Sequence, residues 1–322
     1  MARVKEAYSL SPSREFASLQ ERGQVTATFS RRMRIRLESG GDVDARIKGK
    51  RSKPVCGDRV DAETIPGEDD WLITRILERR NALTRPNRRG EAEVLAANVD
   101  CLCAVAACTP RPDWFVIDRY LGAAALMGID AIVLINKIDL TVARTSLQAE
   151  IDANSRDYER IGYSVIPCSA ETGDGIDALS DALSMSTAIF VGQSGVGKSS
   201  LINRLLGAET QRIGDLSDKR REGRHTTVNS VMLDLPGGGA VIDSPGVRDY
   251  APAIDAEADV DAGFVEIAAA AEGCRFANCQ HMAEPGCAVK AAVDAGSISE
   301  RRYESYRRLV ILTSQLRERR SP

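Results

Sequence analysis

The 322-residue chain has no apolar run near the roughly 18–20 residues needed to span a bilayer, so no membrane association is expected. Its first residues, MARVKEAYSLSPSRE, have no apolar stretch of the kind that drives secretion. The cytoplasm is therefore the expected compartment. The chain contains two histidines, His225 and His281, and any histidine chemistry falls on one of them. Internal repeats and low-complexity tracts are absent. So is a strong net charge: the formal total is −3 and the pI near 5.7, which argues against a general nucleic-acid coat and for localised contact. Hydrophobic residues at 43% and charged residues at 28% are the proportions of a folded chain, and the length predicts two or three domains.

The small net charge hides an asymmetry. Residues 1–90 carry 20 Lys+Arg against 13 Asp+Glu, so the remainder is strongly acidic. Residues 31–53 hold nine basic and three acidic side chains, and residues 297–322 hold seven Arg and three Glu. Two basic ends around an acidic middle are either solvated faces or contacts for a polyanion, because clustered Lys and Arg neutralise phosphates and release counterions.

Texture divides the chain in three. Over 21–85, QVTATFS, RMRIRLES, DVDARIKG, DRVDAETI and WLITRILE alternate in hydrophobicity, separated by SGGD, KPVCGD and PGEDD. Short strands with such punctuation predict a small β-barrel such as an OB-fold, assigned to residues 1–90 together with a loose N-terminal arm. TRPNRRGEAEVLAAN (84–98) reads as a linker. Continuous apolar runs then alternate with helical stretches through about residue 252, which predicts a parallel sheet in an α/β domain spanning 91–252. Residues 253–322 are Ala-rich and helical and end in a basic amphipathic helix over about 298–319.

Gly192-Gln193-Ser194-Gly195-Val196-Gly197-Lys198-Ser199 fits G-x-x-x-x-G-K-[ST] between an apolar strand (AIFV) and a helical pattern beginning at Ser199-Ser200. The glycines let backbone N–H groups wrap phosphates at a helix N-terminus. Lys198 is expected on the β- and γ-phosphates and Ser199 on Mg²⁺. Asp243-Ser244-Pro245-Gly246 closes a second apolar strand. It supplies a magnesium-associated carboxylate at Asp243 and a γ-phosphate N–H donor at Gly246. Asn136-Lys137-Ile138-Asp139 ends the strand AIVLI, and a carboxylate there accepts from both N1–H and N2–H₂ of guanine, a donor pair adenine lacks. Ser169-Ala170 is expected to close the base pocket, with the Ala170 amide toward guanine O6.

Cys274-x4-Cys279-x-His281-x5-Cys287 supplies three thiolates and one imidazole, the donor set of a closed structural zinc site. One such zinc would staple a small domain that has little core of its own. Cys101 and Cys103 alternate along a predicted strand, where Cys behaves as a small hydrophobe.

The guanine-type motifs NKID and SA precede the phosphate loop and DSPG, the reverse of the ordinary Ras-like order, which is the signature of a circularly permuted GTPase. With ANVD (97–100), GQSGVGKSSL (192–201), GRHTT (223–227), DSPGVR (243–248), the Cys/His cluster and the N-terminal barrel, the chain resembles the ribosome small-subunit-dependent GTPase A family (RsgA, also called YjeQ) over nearly its full length.

The resemblance implies a cytoplasmic GTPase stimulated by the small ribosomal subunit, acting in its late maturation and contacting its rRNA. A monomer using Mg²⁺ with GTP and one zinc is expected. Residues 208–230 form the expected switch I, with Thr226 or Thr227 as a magnesium ligand. Val247 stands where Ras-like enzymes place a water-orienting Gln, and His225, in GRHTT, is the candidate catalytic residue in its stead, beside Lys198. DSPG runs directly into the C-terminal domain, so the nucleotide state is expected to reach that domain. Two rivals remain: a permuted GTPase for another RNA, and a non-catalytic guanine-nucleotide clamp. NKID and SA disfavour a P-loop kinase.

Overall fold

The structure, a computed structural model, describes residues 18–30, 32–47, 53–86, 92–143, 145–207, 228–244 and 257–320. Five strands open the chain: β1 (Gln20–Phe29), β2 (Met33–Leu37), β3 (Asp42–Ile47), β4 (Arg59–Thr64) and β5 (Trp71–Ile76). Their order is β1-β2-β3-β5-β4, and β4 pairs back onto β1, so the sheet closes into a barrel. The β3–β5 pairing is parallel and the others are antiparallel, the connectivity of an OB-fold. Alternation explains the strands. In β2, Met33, Ile35 and Leu37 turn inward with Val25, Ala45, Val60, Ala62, Trp71 and Ile73, while Arg34 and Arg36 turn out.

Among the described residues, the arginines of the basic stretch are paired. Arg34 meets Asp44, Arg46 meets Glu68, Arg32 meets Asp70, and Arg36 meets both Asp42 and Asp234. The density of positive charge in residues 31–53 is thus partly spent within the fold.

The expected linker is partly a hairpin. Strands β6 (Ala82–Pro86) and β7 (Ala92–Ala97) pair antiparallel, Ala82 opposite Ala97 and Pro86 opposite Ala92. Tight polar contacts fix the barrel to this hairpin and to the entry of the central domain. Asn98 Nδ2 donates to Gly57 O at 2.9 Å, Ala97 N donates to Cys56 O at 3.1 Å, and Arg79 clasps the fully buried Asp58 with two bonds of 2.6 and 2.8 Å. Gly57 has φ +93°, and a Cβ there would lie 2.0 Å from Ala97 O, so this junction requires glycine.

The central sheet comprises β8 (Cys101–Ala107), β9 (Asp130–Asn136), β10 (Ser164–Pro167), β11 (Thr187–Val191), β12 (Val228–Asp234) and β13 (Ala240–Asp243), ordered β10-β9-β8-β11-β13-β12. All neighbours are parallel except β12–β13. Every residue of β8 is buried because helices cover both faces, which is why it reads as an unbroken apolar run. Leu102, Ala104 and Ala106 face α1 (Trp114–Met127) and α2 (Thr145–Arg160). Cys101, Cys103 and Val105 face α3 (Ile176–Ala182) and α4 (Lys198–Leu206). Both cysteines are core residues, as their alternation predicted, and burial pushes the neighbouring Cys168 thiol up to about 12.

Barrel and central sheet are continuous. The distal part of β1 pairs with β12 at Ala27–Val231 and Thr28–Ser230, and Arg36 grips Asp234 with two bonds of 2.9 and 2.8 Å. The C-terminal part consists of α5 (Glu257–Gly263), α6 (Val265–Ala271), α7 (Ala288–Asp294) and α8 (Glu300–Arg320) around a core of Val260, Phe264, Ile267, Val289, Tyr306 and Leu309. Helix α5 crosses α1 where Gly263 meets Gly122: a Cβ on Gly263 would stand 3.2 Å from Gly122 Cα. Helix α8 differs in part from a solvated basic helix. Arg302 is 1% exposed and points inward to Asp118 of α1 and Glu266 of α6.

Candidate nucleotide and metal sites

The loop Gly192–Gly197 leaves β11 and enters α4, the strand–loop–helix setting its pattern requires. Three of its glycines adopt φ of +146° (Gly192), +82° (Gly195) and +95° (Gly197). A Cβ on Gly192 would meet Val105 O at 2.4 Å, and one on Gly197 would meet Asn136 Nδ2 at 2.3 Å. Spacing of the pattern is therefore a packing requirement as well as a conformational one. Lys198 is 7% exposed, and its ammonium folds over the loop, donating to Gly192 O at 2.6 Å and Gln193 O at 2.8 Å.

The NKID segment, 56 positions upstream, lies against this loop because β9 and β11 both flank β8. Asn136 is 1% exposed and ties the segments together. Its Nδ2 donates to Val196 O at 2.8 Å, and its Oδ1 accepts from Ala170 N at 3.2 Å. Lys137, at φ +63°, donates to Gly195 O at 2.6 Å and Thr109 O at 2.8 Å. Ser169 Oγ donates to Asp139 Oδ1 at 2.5 Å and accepts from Thr172 N at 3.1 Å. The buried Ser169 thus fixes one carboxylate oxygen of Asp139 and leaves the other. Asp243 closes β13, next to β11 in the sheet, and is 7% exposed.

The structure therefore brings Asn136, Lys137, Asp139, Ser169, Ala170, the loop 192–197 and Lys198 together, with Ser199 and Ser200 in the first turn of α4. The Ala170 amide, expected at guanine O6, is engaged with Asn136 here. His225, Thr226, Thr227, Gly246 and Val247 lie outside the described residues, and so does the route from DSPG into the C-terminal part. Sequence reasoning missed Thr109, a carbonyl partner of Lys137, and Asp113, whose N–H donates to Gln193 Oε1 at 3.2 Å. The turn dipeptide Thr109-Pro110 after β8 was the available signal.

A second site lies between α6 and α7. The ligand atoms of Cys274, Cys279, His281 and Cys287 all fall within 4.8 Å of one another, so the cluster could hold a metal ion. His281 turns Nδ1 toward the sulfurs, 3.5 Å from both Cys274 Sγ and Cys287 Sγ. Three sulfurs and one imidazole, largely buried, are the donor set of a four-coordinate zinc centre. Two devices hold the loop. The Glu284 carboxylate accepts from the amides of Gln280, Met282 and Ala283 at 2.9–3.0 Å, which lowers its pKa to about 2. Tyr303 Oη donates to His281 O at 2.5 Å. Neither Glu284 nor the tyrosines stood out in the sequence, because each acts on backbone or on another side chain rather than on a ligand.

A P-loop sheet read in permuted order, fused through one ladder to an OB-type barrel, defines the class: a circularly permuted GTPase. The fold agrees with the solved structure of YloQ, titled a circularly permuted GTPase, with a TM-score of 0.73 over 97% of this chain and 99% of that one. Residues 76–252 match the model of the RsgA GTPase, and the chain belongs to that family and hydrolyses GTP. A small ribosomal subunit biogenesis GTPase RsgA of Azotobacter vinelandii is 40% identical over 90% of this chain and 85% of its own length. One of the same description from Haemophilus influenzae is 36% identical over 96% and 89%. The crystal structure of YjeQ from Thermotoga maritima superposes with a TM-score of 0.75 at 29% identity, over 92% of this chain and 99% of that one.

Proposed function

We propose that the protein hydrolyses GTP in response to the small ribosomal subunit, contacts its rRNA, and acts late in that subunit's maturation in the cytoplasm as a monomer. The observation that carries the reading is Asn136, which joins the phosphate loop to the NKID and SA segments within one buried hydrogen-bond system. The small-subunit partner comes from the names of the relatives. The proposed domain division is 1–90, 91–252 and 253–322, with the β6–β7 pair straddling the first boundary.

Residue roles follow from chemistry. Asp139, preset by Ser169, accepts from the guanine edge, with Asn136, Lys137 and Ala170 shaping the pocket. Amides of Gly192 through Ser200 cradle the phosphates, and Gly246 donates to the γ-phosphate. Lys198 exchanges its two loop carbonyls for β- and γ-phosphate oxygens, so its charge is held in place before substrate arrives. Magnesium, for which Ser199, Asp243 and one of Thr226 or Thr227 supply oxygen donors, neutralises phosphate charge when bound. His225 orients the attacking water that Val247 cannot. The cysteines and His281 hold zinc as a structural staple.

Equilibrium binding of a fluorescent GTP analogue, competed by GTP, GDP and ATP, tests the pocket. Co-sedimentation with purified small and large subunits tests the partner. Displacement by guanine nucleotides alone, with sedimentation on the small subunit alone, is the expected result. ATP competing equally, or binding to the large subunit instead, overturns the reading.

A further inference from the structure

His281 turns its Nδ1 to the cysteine cluster, and a metal ion held there would leave the ring proton on Nε2. That nitrogen is buried and has no hydrogen-bond partner. The carboxylate of Asp261 stands across from it, with Oδ2 at 3.7 Å. Asp261 is itself held: Tyr306 Oη donates to its Oδ1 at 2.5 Å, and the same hydroxyl lies 3.1 Å from Gln280 O in the metal loop. Tyr306 is 1% exposed and packs edge-on against Phe264, three residues beyond Asp261. The carboxylate thus has one oxygen fixed by a buried phenol and the other facing an orphaned imidazole N–H.

Metal-bound histidines ordinarily give their second N–H to a carboxylate, carbonyl or water, which sets the tautomer and the ring orientation. We infer that Asp261 is the positioning residue of the metal centre, accepting from His281 Nε2 when the ion is bound, with Tyr306 as its anchor. The inference rests on the zinc reading of the Cys₃His cluster. It also assigns α5 a task. This short helix packs on α1 of the GTPase domain and carries Asp261 to the metal loop, so the helix that holds the carboxylate also abuts the GTPase domain.

The test is zinc release from full-length protein under excess chelator, followed by a colorimetric zinc indicator, with cobalt-substituted protein monitored by its visible absorption. Asp261→Ala is expected to release zinc faster, with a loss of zinc affinity of about 10–100-fold. Asp261→Asn retains an acceptor oxygen and should recover most of the loss. Tyr306→Phe should shift in the same direction as Asp261→Ala by a smaller factor. The cobalt ligand-field bands should move in Asp261→Ala while their intensity stays that of a four-coordinate thiolate site. Release at the wild-type rate with unmoved bands in Asp261→Ala overturns the inference, as does equal loss in Asp261→Ala and Asp261→Asn. Wild-type protein that carries no zinc and takes up none overturns the metal assignment itself, a separate outcome.

Discussion

Arg302 Nη1 donates to Asp118 Oδ1 at 2.9 Å, joining residues 184 positions apart, both closed to solvent. The Arg302 guanidinium also clasps Glu266 with bonds of 2.7 and 2.9 Å, and Asp118 further accepts from Arg301 and from Tyr158. Burial raises the Asp118 pKa, but Arg302 and Arg301 outweigh it and hold the carboxyl below its usual value, so it stays ionised. Removing Arg302 strands two carboxylates that Arg301 only partly offsets. Arg302→Met should cost about 3–5 kcal/mol in chemical denaturation. Adding Asp118→Leu and Glu266→Leu should recover much of that loss, because the stranded charges go too. An unchanged midpoint in Arg302→Met would refute the assignment.

Asn136→Ala removes its bond to the phosphate loop and its bond to Ala170, and leaves Val196 O and Ala170 N without those partners. A buried unsatisfied group costs about 1–3 kcal/mol. GTP affinity, measured by isothermal titration, should fall about tenfold or more. Asp139→Asn should weaken GTP binding by a larger factor while leaving the thermal midpoint close to wild type, since its partner Ser169 can rearrange.

Gly57→Ala places a methyl against Ala97 O at a junction with φ +93°. The barrel must then shift relative to the central sheet. The variant should keep its nucleotide affinity and lose affinity for the small subunit in sedimentation, separating barrel placement from nucleotide chemistry.

How much of this was legible in the sequence depended on the range of the forces involved. The five barrel strands and the apolar strand β8 were readable because burial on one face or both imprints a period of two or none. The phosphate loop and NKID were readable because their chemistry demands fixed residue types at fixed spacing. The inward turn of Arg302 was not, since nothing local distinguishes it from Arg307 or Arg308. Its partners come from helices α1 and α6, and its burial is a tertiary fact. The pairing of β6 with β7 was likewise hidden, because nothing in TRPNRRGEAEVLAAN marks a ladder rather than a linker.

Glu284 titrates near 2 in the folded protein, below its ordinary value of 4.5, because three amides point at it. A lowered folded-state pKa contributes stability that is complete above the ordinary value and fades as pH falls toward 2. Glu284→Gln should lower the thermal midpoint by a constant amount between pH 5.5 and 8, with the gap closing below about 4.5. A gap that widens on acidification would contradict the role assigned to the carboxylate.

The central claim is most directly tested by GTP turnover with and without purified small ribosomal subunits, with ATP, large subunits and His225→Ala run alongside. The account predicts slow intrinsic hydrolysis, strong stimulation that requires both GTP and the small subunit, and loss of that stimulation in His225→Ala without loss of nucleotide binding. Tight GTP binding with no stimulation by the small subunit would contradict it.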